Sequence, residues 1–375
     1  MQLPLFTVRK RIFGHFPWVV FALMTAWISI GLVNLYSATY RVVDPVLPAL
    51  FQSQVRWVAL GLVLFFLAAW IDYRVLYRWA YPIYFVSLLL LSLVFVAGRA
   101  VAGQQNWVAV AGFSFQPSEI AKLALALALS RYFSTHFSNP DRTRSFRDLL
   151  GPLGLFLPPL ILVLLQGDMG GALLFLLFFS TMVFFLKIPW RFFVVAGVLV
   201  SLAGAGAVQF FLKDYQKDRI FTFLHPEKDP RGKGYHLVQS KIAVGSGGIL
   251  GKGYLKGSIN KLKYLPERHT DFIFPVLSEE WGFLGGAFTL AVMLLFLLLG
   301  LHSASQCKDA FGSYLALSIV SLFFWQAVVN LGGVLGLLPL TGVPLPFLSY
   351  GGSSILTMMI AVGLLVNVRM RRYVF

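Results

Sequence analysis

The sequence predicts an all-α polytopic membrane protein: ten transmembrane helices, both termini cytoplasmic, and one long extracytoplasmic loop between helices 7 and 8. Three observations carry that prediction. Of 375 residues, 58% are hydrophobic and 12% charged, and the mean hydropathy is +0.77. A soluble domain carries about 25% charged and about 45–50% apolar residues, so one water-soluble core could not absorb the excess. Ten stretches approach the roughly 20 apolar residues that cross a bilayer, and the Lys and Arg residues between them are distributed very unequally.

The spans fall at roughly 17–38, 54–71, 78–97, 117–134, 151–166, 170–186, 190–211, 275–301, 312–337 and 351–368. The first comes after Val8-Arg9-Lys10-Arg11, a charged start like that of a signal peptide. Its apolar run is too long and no convincing small-residue cleavage site succeeds it, so it reads as an uncleaved helix. The fifth and sixth are parted only by Gln166-Gly167-Asp168-Met169-Gly170, whose glycines mark a tight turn between two helices. Between the ninth and tenth, 338–354 carries three prolines and a glycine pair. Such a rigid, non-helical loop is tolerated at membrane depth only when it is buried in protein or lines a cavity. Gln326 and Asn330 on the ninth span need polar partners for the same reason.

Orientation is set by the cations. With the N-terminus inside, fifteen face the cytoplasm: Arg9, Lys10, Arg11, Arg74, Arg78, Arg131, Arg142, Arg144, Arg147, Lys187, Arg191, Lys308, Arg369, Arg371 and Arg372. Three, Arg41, Arg56 and Arg99, fall in the short outer loops. That asymmetry fixes the topology. The long outer segment 212–274 holds twelve more cations against six acids, on the side that topology does not require to be positive. Most of the formal net charge of +16 is thus topological, and the excess on the outer loop reads either as a solvated surface or as a surface for an anionic lipid headgroup, rather than for nucleic acid. The loop's apolar residues argue against disorder, and their spacing near 235–244 fits a short helix lying at the interface. Cys307, the one cysteine, excludes a disulfide framework and a four-cysteine metal site. No Walker A motif, dinucleotide fingerprint, nucleophile elbow or zinc-binding His spacing occurs, and Gly245-Ser246-Gly247-Gly248 is weak as a phosphate cradle.

Ionisable groups within spans are expensive and are functional candidates by default. Glu119 and Lys122 lie three apart and share a helix face, either as a self-neutralising structural pair or in positioning substrate. Asp168 is a turn or cap residue with a weaker claim on function. Asp271 stands where the basic loop enters the eighth span, beside Arg268 and His269. A carboxylate there can be a plain N-cap, or a general base whose proton affinity is raised by an apolar wall. Glu279 and Glu280 come next on the same helix, one of them a candidate to face the same cavity.

Several long motifs occur in order. They are Tyr36-Ser37-Ala38, Phe115-Gln116-Pro117-Ser118-Glu119-Ile120-Ala121-Lys122, Pro226-Glu227-Lys228-Asp229-Pro230, Gln239-Ser240-Lys241-Ile242-Ala243-Val244-Gly245-Ser246-Gly247-Gly248, Pro266-Glu267-Arg268-His269-Thr270-Asp271, Gly342-Val343-Pro344-Leu345-Pro346 and Ser349-Tyr350-Gly351-Gly352-Ser353. Together they resemble the SEDS family of bacterial membrane proteins (shape, elongation, division and sporulation), and its elongation type more than its division type. The resemblance implies one integral membrane domain over 1–375 whose active site lies on the loop 212–274. It implies a peptidoglycan glycosyltransferase that polymerises lipid II, with undecaprenyl pyrophosphate as leaving group and a class B penicillin-binding protein as partner, in the bacterial cytoplasmic (inner) membrane. Asp271 becomes the catalytic carboxylate, and Glu119, Lys122, Lys241, Ser246, Arg268, His269, Glu279 and Ser349 become substrate-binding or supporting residues. No organic cofactor is implied; a divalent cation, magnesium or manganese, is an open expectation. The family usually has a basic residue where Asn106 stands, a proline at Gly167 and a glutamine at Ile259, so those three roles are open. Two rival functions also stay open: a lipid II flippase, and a non-enzymatic scaffold that recruits a penicillin-binding protein.

Overall fold

The computed structural model describes residues 16–40, 48–101, 104–110, 113–137, 145–186, 188–195, 197–198, 222–223, 225, 233–257 and 269–371. Most of the expected seventh span (190–211), the basic N-terminal cluster, Arg268 and Ile259 lie outside the described residues. The helices that build the bundle and its outer face are α1 (Trp18–Thr39), α2 (Ala49–Trp70), α3 (Tyr73–Ala97), α4 (Pro117–His136), α5 (Leu150–Leu165), α6 (Met169–Phe184), α7 (Lys233–Ser246), α8 (Ile273–Ser305), α9 (Ala310–Leu335) and α10 (Gly352–Arg371). By length and composition, α1, α2, α3, α8, α9, α10 and a helical stretch at 147–165 that includes α5 can cross a membrane. The chain is a multi-pass membrane protein.

The apolar windows locate these elements within a few residues, except that α2 and α3 each begin five residues before the expected 54 and 78. Asp72 caps α3 by accepting the Arg74 N–H at 3.0 Å, so the helix starts at a polar residue that hydropathy counts as loop. α6 is short, and α4 is long but less apolar than the other expected spans. α4 is nevertheless buried along most of its length, packed against α3, α5, α9 and α10. Surrounded by protein, it has no need of a lipid-compatible surface. The turn between α5 and α6 forms as expected: Gly167 takes φ +80°, and Asp168 caps α6 by accepting the Gly171 N–H at 2.8 Å.

The all-helical expectation needs one correction. Between α3 and α4 the chain forms a three-stranded antiparallel sheet of β1 (Gly98–Val101), β2 (Gln104–Val110) and β3 (Phe113–Phe115), in spatial order β1-β2-β3. Strands of four, seven and three residues leave too short an alternation to read from sequence. Along β2 the period is two, with Asn106 and Val108 buried while Trp107 and Ala109 are partly exposed.

α8 is broken at Gly282, whose φ of 66° and ψ of −165° lie in a region open essentially to glycine alone. The break frees carbonyls above it and N–H groups below it, and the turn at 248–253 satisfies both. Lys252 and Gly253 N–H donate to Glu279 O and Glu280 O at 3.0 Å each. Phe283 and Leu284 N–H donate to Gly248 O and Ile249 O at 2.8 and 3.1 Å. The glycine-rich stretch after α7 is thus a backbone clasp on a spanning helix. A Cβ at Gly282 would stand 2.3 Å from Gly251 N. Gly282→Ala should therefore lose about 1–3 kcal/mol from the backbone conformation alone and open the clasp. Thermal unfolding in detergent, with limited proteolysis at 248–253, reads both effects.

Candidate active site

α8 enters the bundle through the turn at 269–272, and the Pro-rich loop after α9 closes on that turn. Tyr350 N–H donates to His269 O at 2.8 Å, Ser349 Oγ to Thr270 O at 2.7 Å, and Asn330 Nδ2 to Asp271 O at 3.1 Å. The His269 and Tyr350 rings meet edge to face, centroids 6.0 Å apart. Asn330 also donates to Val343 O at 2.8 Å and Gln326 to Pro344 O at 3.1 Å, so both polar residues of α9 find partners in the loop. Val343, Leu345, Phe347, Leu348 and Ser349 are buried. The stretch 345–349 is enclosed by protein, whereas Gly342 is exposed and its neighbours 338–341 are partly exposed.

Asp271 is half-buried in that clamp, its Oδ2 beside Gly342. The N-cap of α8 is Phe272, with no side-chain cap bond, so Asp271 is not the plain helix cap that its position permits. Residues 273–280 behind it are all buried, and Asn34 of α1 donates to Ile273 O at 2.9 Å. The carboxylate therefore sits at the head of a fixed strut.

Glu279 and Glu280 are at the foot of that strut, on the clasp. Lys252 Nζ pairs with Glu279 Oε1 at 2.6 Å. Glu280 accepts from Ser37 Oγ at 2.6 and 2.7 Å and from Leu255 N–H at 3.2 Å. Leu255 is held at φ +61°, a conformation rare outside glycine. Through these partners the two glutamates hold 252–257 to α8. The sequence pattern could not pair Glu280 with Ser37, 243 residues away.

The Glu119–Lys122 pair forms as the spacing predicts, at 2.8 Å and almost fully buried. Beside it is a cavity of about 30 Å³, lined also by Gln326, Thr357 and Met358, large enough for about one water. Asp168 is more than a cap. Its Oδ2 accepts from Gln116 Nε2 at 3.2 Å and from Asn106 Nδ2 at 3.5 Å, which joins β2, α4 and the α5–α6 turn. Burial pushes the Asp168 carboxyl above its ordinary value, against the Gly171 hydrogen bond and the nearby Lys122 charge. Gln116 N–H donates to Ser353 Oγ at 3.1 Å, and Gln54 of α2 holds the same loop through Ser349 O and Gly351 N–H at 3.2 Å each. Gln54 and Gln116 are contributors that sequence reasoning missed; buried amides on outer helix ends were the available signal.

Lys241 and Ser246 lie on α7. Ser246 Oγ bonds back to Ala243 O at 3.1 Å, a local contact only. The Cε and Nζ end of Lys241 lies against Gly336, the C-cap of α9, where a cation favours the helix's carbonyl end. Among the described residues, no group of three or more His, Cys, Asp or Glu side chains could hold a metal ion.

A helical bundle with a half-buried carboxylate clamped at the entrance of a broken helix defines the class of the molecule. The profile of the FtsW/RodA/SpoVE family, described as cell cycle proteins, matches residues 17–374, and the chain belongs to that family. The peptidoglycan glycosyltransferase MrdB of Escherichia coli is 39% identical over 321 residues, 86% of each chain. Among solved structures, a chain of a peptidoglycan synthase complex, studied for its coordination of polymerization and crosslinking, aligns with a TM-score of 0.81. It is 36% identical, and the match covers 96% of this chain and 98% of that one. The rod shape determining protein RodA of Thermus thermophilus aligns with a TM-score of 0.71 at 33% identity, over 96% and 98% of the two chains.

Two of the buried carboxylates away from Asp271, Glu119 and Asp168, can be tested by substitution. Glu119→Ala leaves the Lys122 ammonium buried without its carboxylate and should cost about 3–5 kcal/mol, whereas Glu119→Leu with Lys122→Met should cost far less. Thermal unfolding of the single and double variants separates the two cases. Asp168→Asn is isosteric, but it turns an amide donor toward the Gln116 and Asn106 donors or loses the Gly171 cap. A loss of about 1–3 kcal/mol in the same assay is expected.

Proposed function

We propose that this chain polymerises lipid II into glycan strands at the extracytoplasmic face of the bacterial inner membrane, during cell elongation and shape maintenance. In this reading it has ten spans, with 190–211 the seventh and 212–274 the substrate-handling loop. The observation that carries the reading is the placement of Asp271: a half-buried carboxylate whose own carbonyl and whose neighbours' carbonyls are held by Asn330, Ser349 and Tyr350. Such a group keeps a fixed aim, which general-base catalysis requires.

The chemistry is a transfer at the anomeric carbon of the donor sugar. Asp271 accepts the proton of the acceptor's 4-hydroxyl as its oxygen attacks. The bond to undecaprenyl pyrophosphate breaks, and the leaving group carries away the electron pair and its negative charge. Lys and Arg residues of 212–274, Lys241 among them, stabilise that charge. Magnesium commonly binds through one or two carboxylates plus substrate phosphates, so a divalent cation would enter with the pyrophosphate and would help to stabilise its charge. The partner that cross-links the product is a class B penicillin-binding protein. Support for that partner comes from the likeness to a chain of a peptidoglycan synthase complex.

Asp271→Ala should abolish polymerisation of purified lipid II while thermal unfolding and partner binding stay at wild-type levels, and Asp271→Asn should be as inactive. Product ladders on gels read the outcome. Wild-type rates in either variant would overturn the assignment of the base. Headgroup translocation in vesicles without polymer would instead favour a flippase.

A further inference from the structure

The outer surface of the clasp is unlike that of a solvated loop. Ile249 and Leu250, at its tip, are 69% and 77% exposed. The backbone bonds that close the clasp set them beside Phe283 and Leu284, themselves 69% and 54% exposed. Those two residues begin an exposed apolar stripe on α8 that continues through Phe288, Leu294, Leu298 and Leu301. From Phe283 to Leu301 the helix rises about 27 Å at 1.5 Å per residue, close to the roughly 30 Å of a bilayer's hydrocarbon core. Phe283 thus marks one edge of the lipid-facing stripe, and the tip bonded to it shares that depth.

Beyond the tip the chain runs through the usual order of groups at a membrane interface. Lys252 comes next, then Tyr254, exposed, with its hydroxyl donating to Val33 O of α1 at 3.1 Å, then Lys256, also exposed. α7, which leads into the clasp, packs Leu237, Ser240 and Ala243 inward and exposes Val238 and Ile242 on either side of Lys241.

We propose that the Ile249–Leu250 turn is a membrane anchor, inserted at the edge of the hydrocarbon of the leaflet on its own side. Bilayer lipid is its occupant because the apolar surface is continuous with a spanning helix and gives way to tyrosine and lysines at headgroup height. The anchor ties α7 and the clasp, and through the clasp the strut that carries Asp271, to the lipid surface. This goes beyond the glycosyltransferase reading and does not depend on it.

The test uses the full chain with Cys307→Ser, which removes the one native thiol and keeps a hydroxyl donor for Asp309. Single cysteines replace Ile249, Leu250, Phe288 or Lys256, carry nitroxide labels, and are placed in nanodiscs of phosphatidylethanolamine and phosphatidylglycerol. Power saturation compares collisions with oxygen and with a water-soluble nickel chelate. Labels at 249 and 250 should favour oxygen several-fold, as the lipid-facing label at 288 does, while the label at 256 favours nickel. A label at 288 that reads lipid calibrates the lipid-facing signal, and a melting temperature equal to that of the Cys307→Ser protein shows that each labelled variant is folded. Labels at 249 and 250 that favour nickel would overturn the proposal, and the turn would then be free for a partner protein. Labels screened from both reagents would overturn it in favour of protein contact with a second copy. Neither result touches the Asp271 reading, which polymerisation assays decide separately.

Discussion

Everything at this end of the bundle depends on one constraint: backbone that is not helical, at membrane depth, must find its hydrogen bonds within the protein. The loop from α9 to α10 meets it with borrowed side chains. Asn330 and Gln326 take Val343 and Pro344 carbonyls, Gln54 takes Ser349 and Gly351, and Ser349 bridges Leu345 to Thr270. Each bond satisfies an otherwise costly polar group. Together they tie α9, α2 and the turn before α8 to the loop, so the loop becomes the hub that positions the turn bearing Asp271. Stability and site geometry here are the same set of bonds.

The break in α8 meets the same constraint in a second way. At Gly282 the helix gives up bonds in its own ladder, and the clasp returns them from another segment. A spanning helix and an outer loop therefore cannot move independently at that point. The two glutamates above the break extend the coupling through side chains, Glu279 to Lys252 and Glu280 to Leu255 and Ser37. A helix that ran unbroken would need no such partner and would transmit nothing to the loop.

What sequence shows and what it hides divides along these lines. Spans are legible because twenty apolar residues have few alternatives, and the α5–α6 turn because its glycines interrupt two apolar runs. Glu119 and Lys122 could be paired because helical spacing puts them on one face. Chemistry and resemblance single out Asp271 as a candidate, but its clamp is not legible, because its members come from separate parts of the chain. The sheet at 98–115 is too short to show an alternation, and Gly282 lies within a long apolar run where hydropathy is blind to a single φ. Asp168 looked like a cap and is one. Its joining of β2 to α4 depends on Asn106 and Gln116, at 62 and 52 residues' remove.

These pieces combine in the segment 273–281, between Asp271 and the break. It is about 13 Å long by helical rise, and its first eight residues are buried. At its head the loop and Asn330 hold Asp271, and at its foot the clasp holds the carbonyls of Glu279 and Glu280. For the base role proposed for Asp271, a misplacement of about 1 Å would cost about 10²-fold in rate, a tolerance that a lone side chain on a long loop could not hold. A turn at the head of a short, buried helix that is fixed at both ends does. The cost is a glycine at the break and a strained Leu255 beside it, two positions where local preference gives way to the site they support.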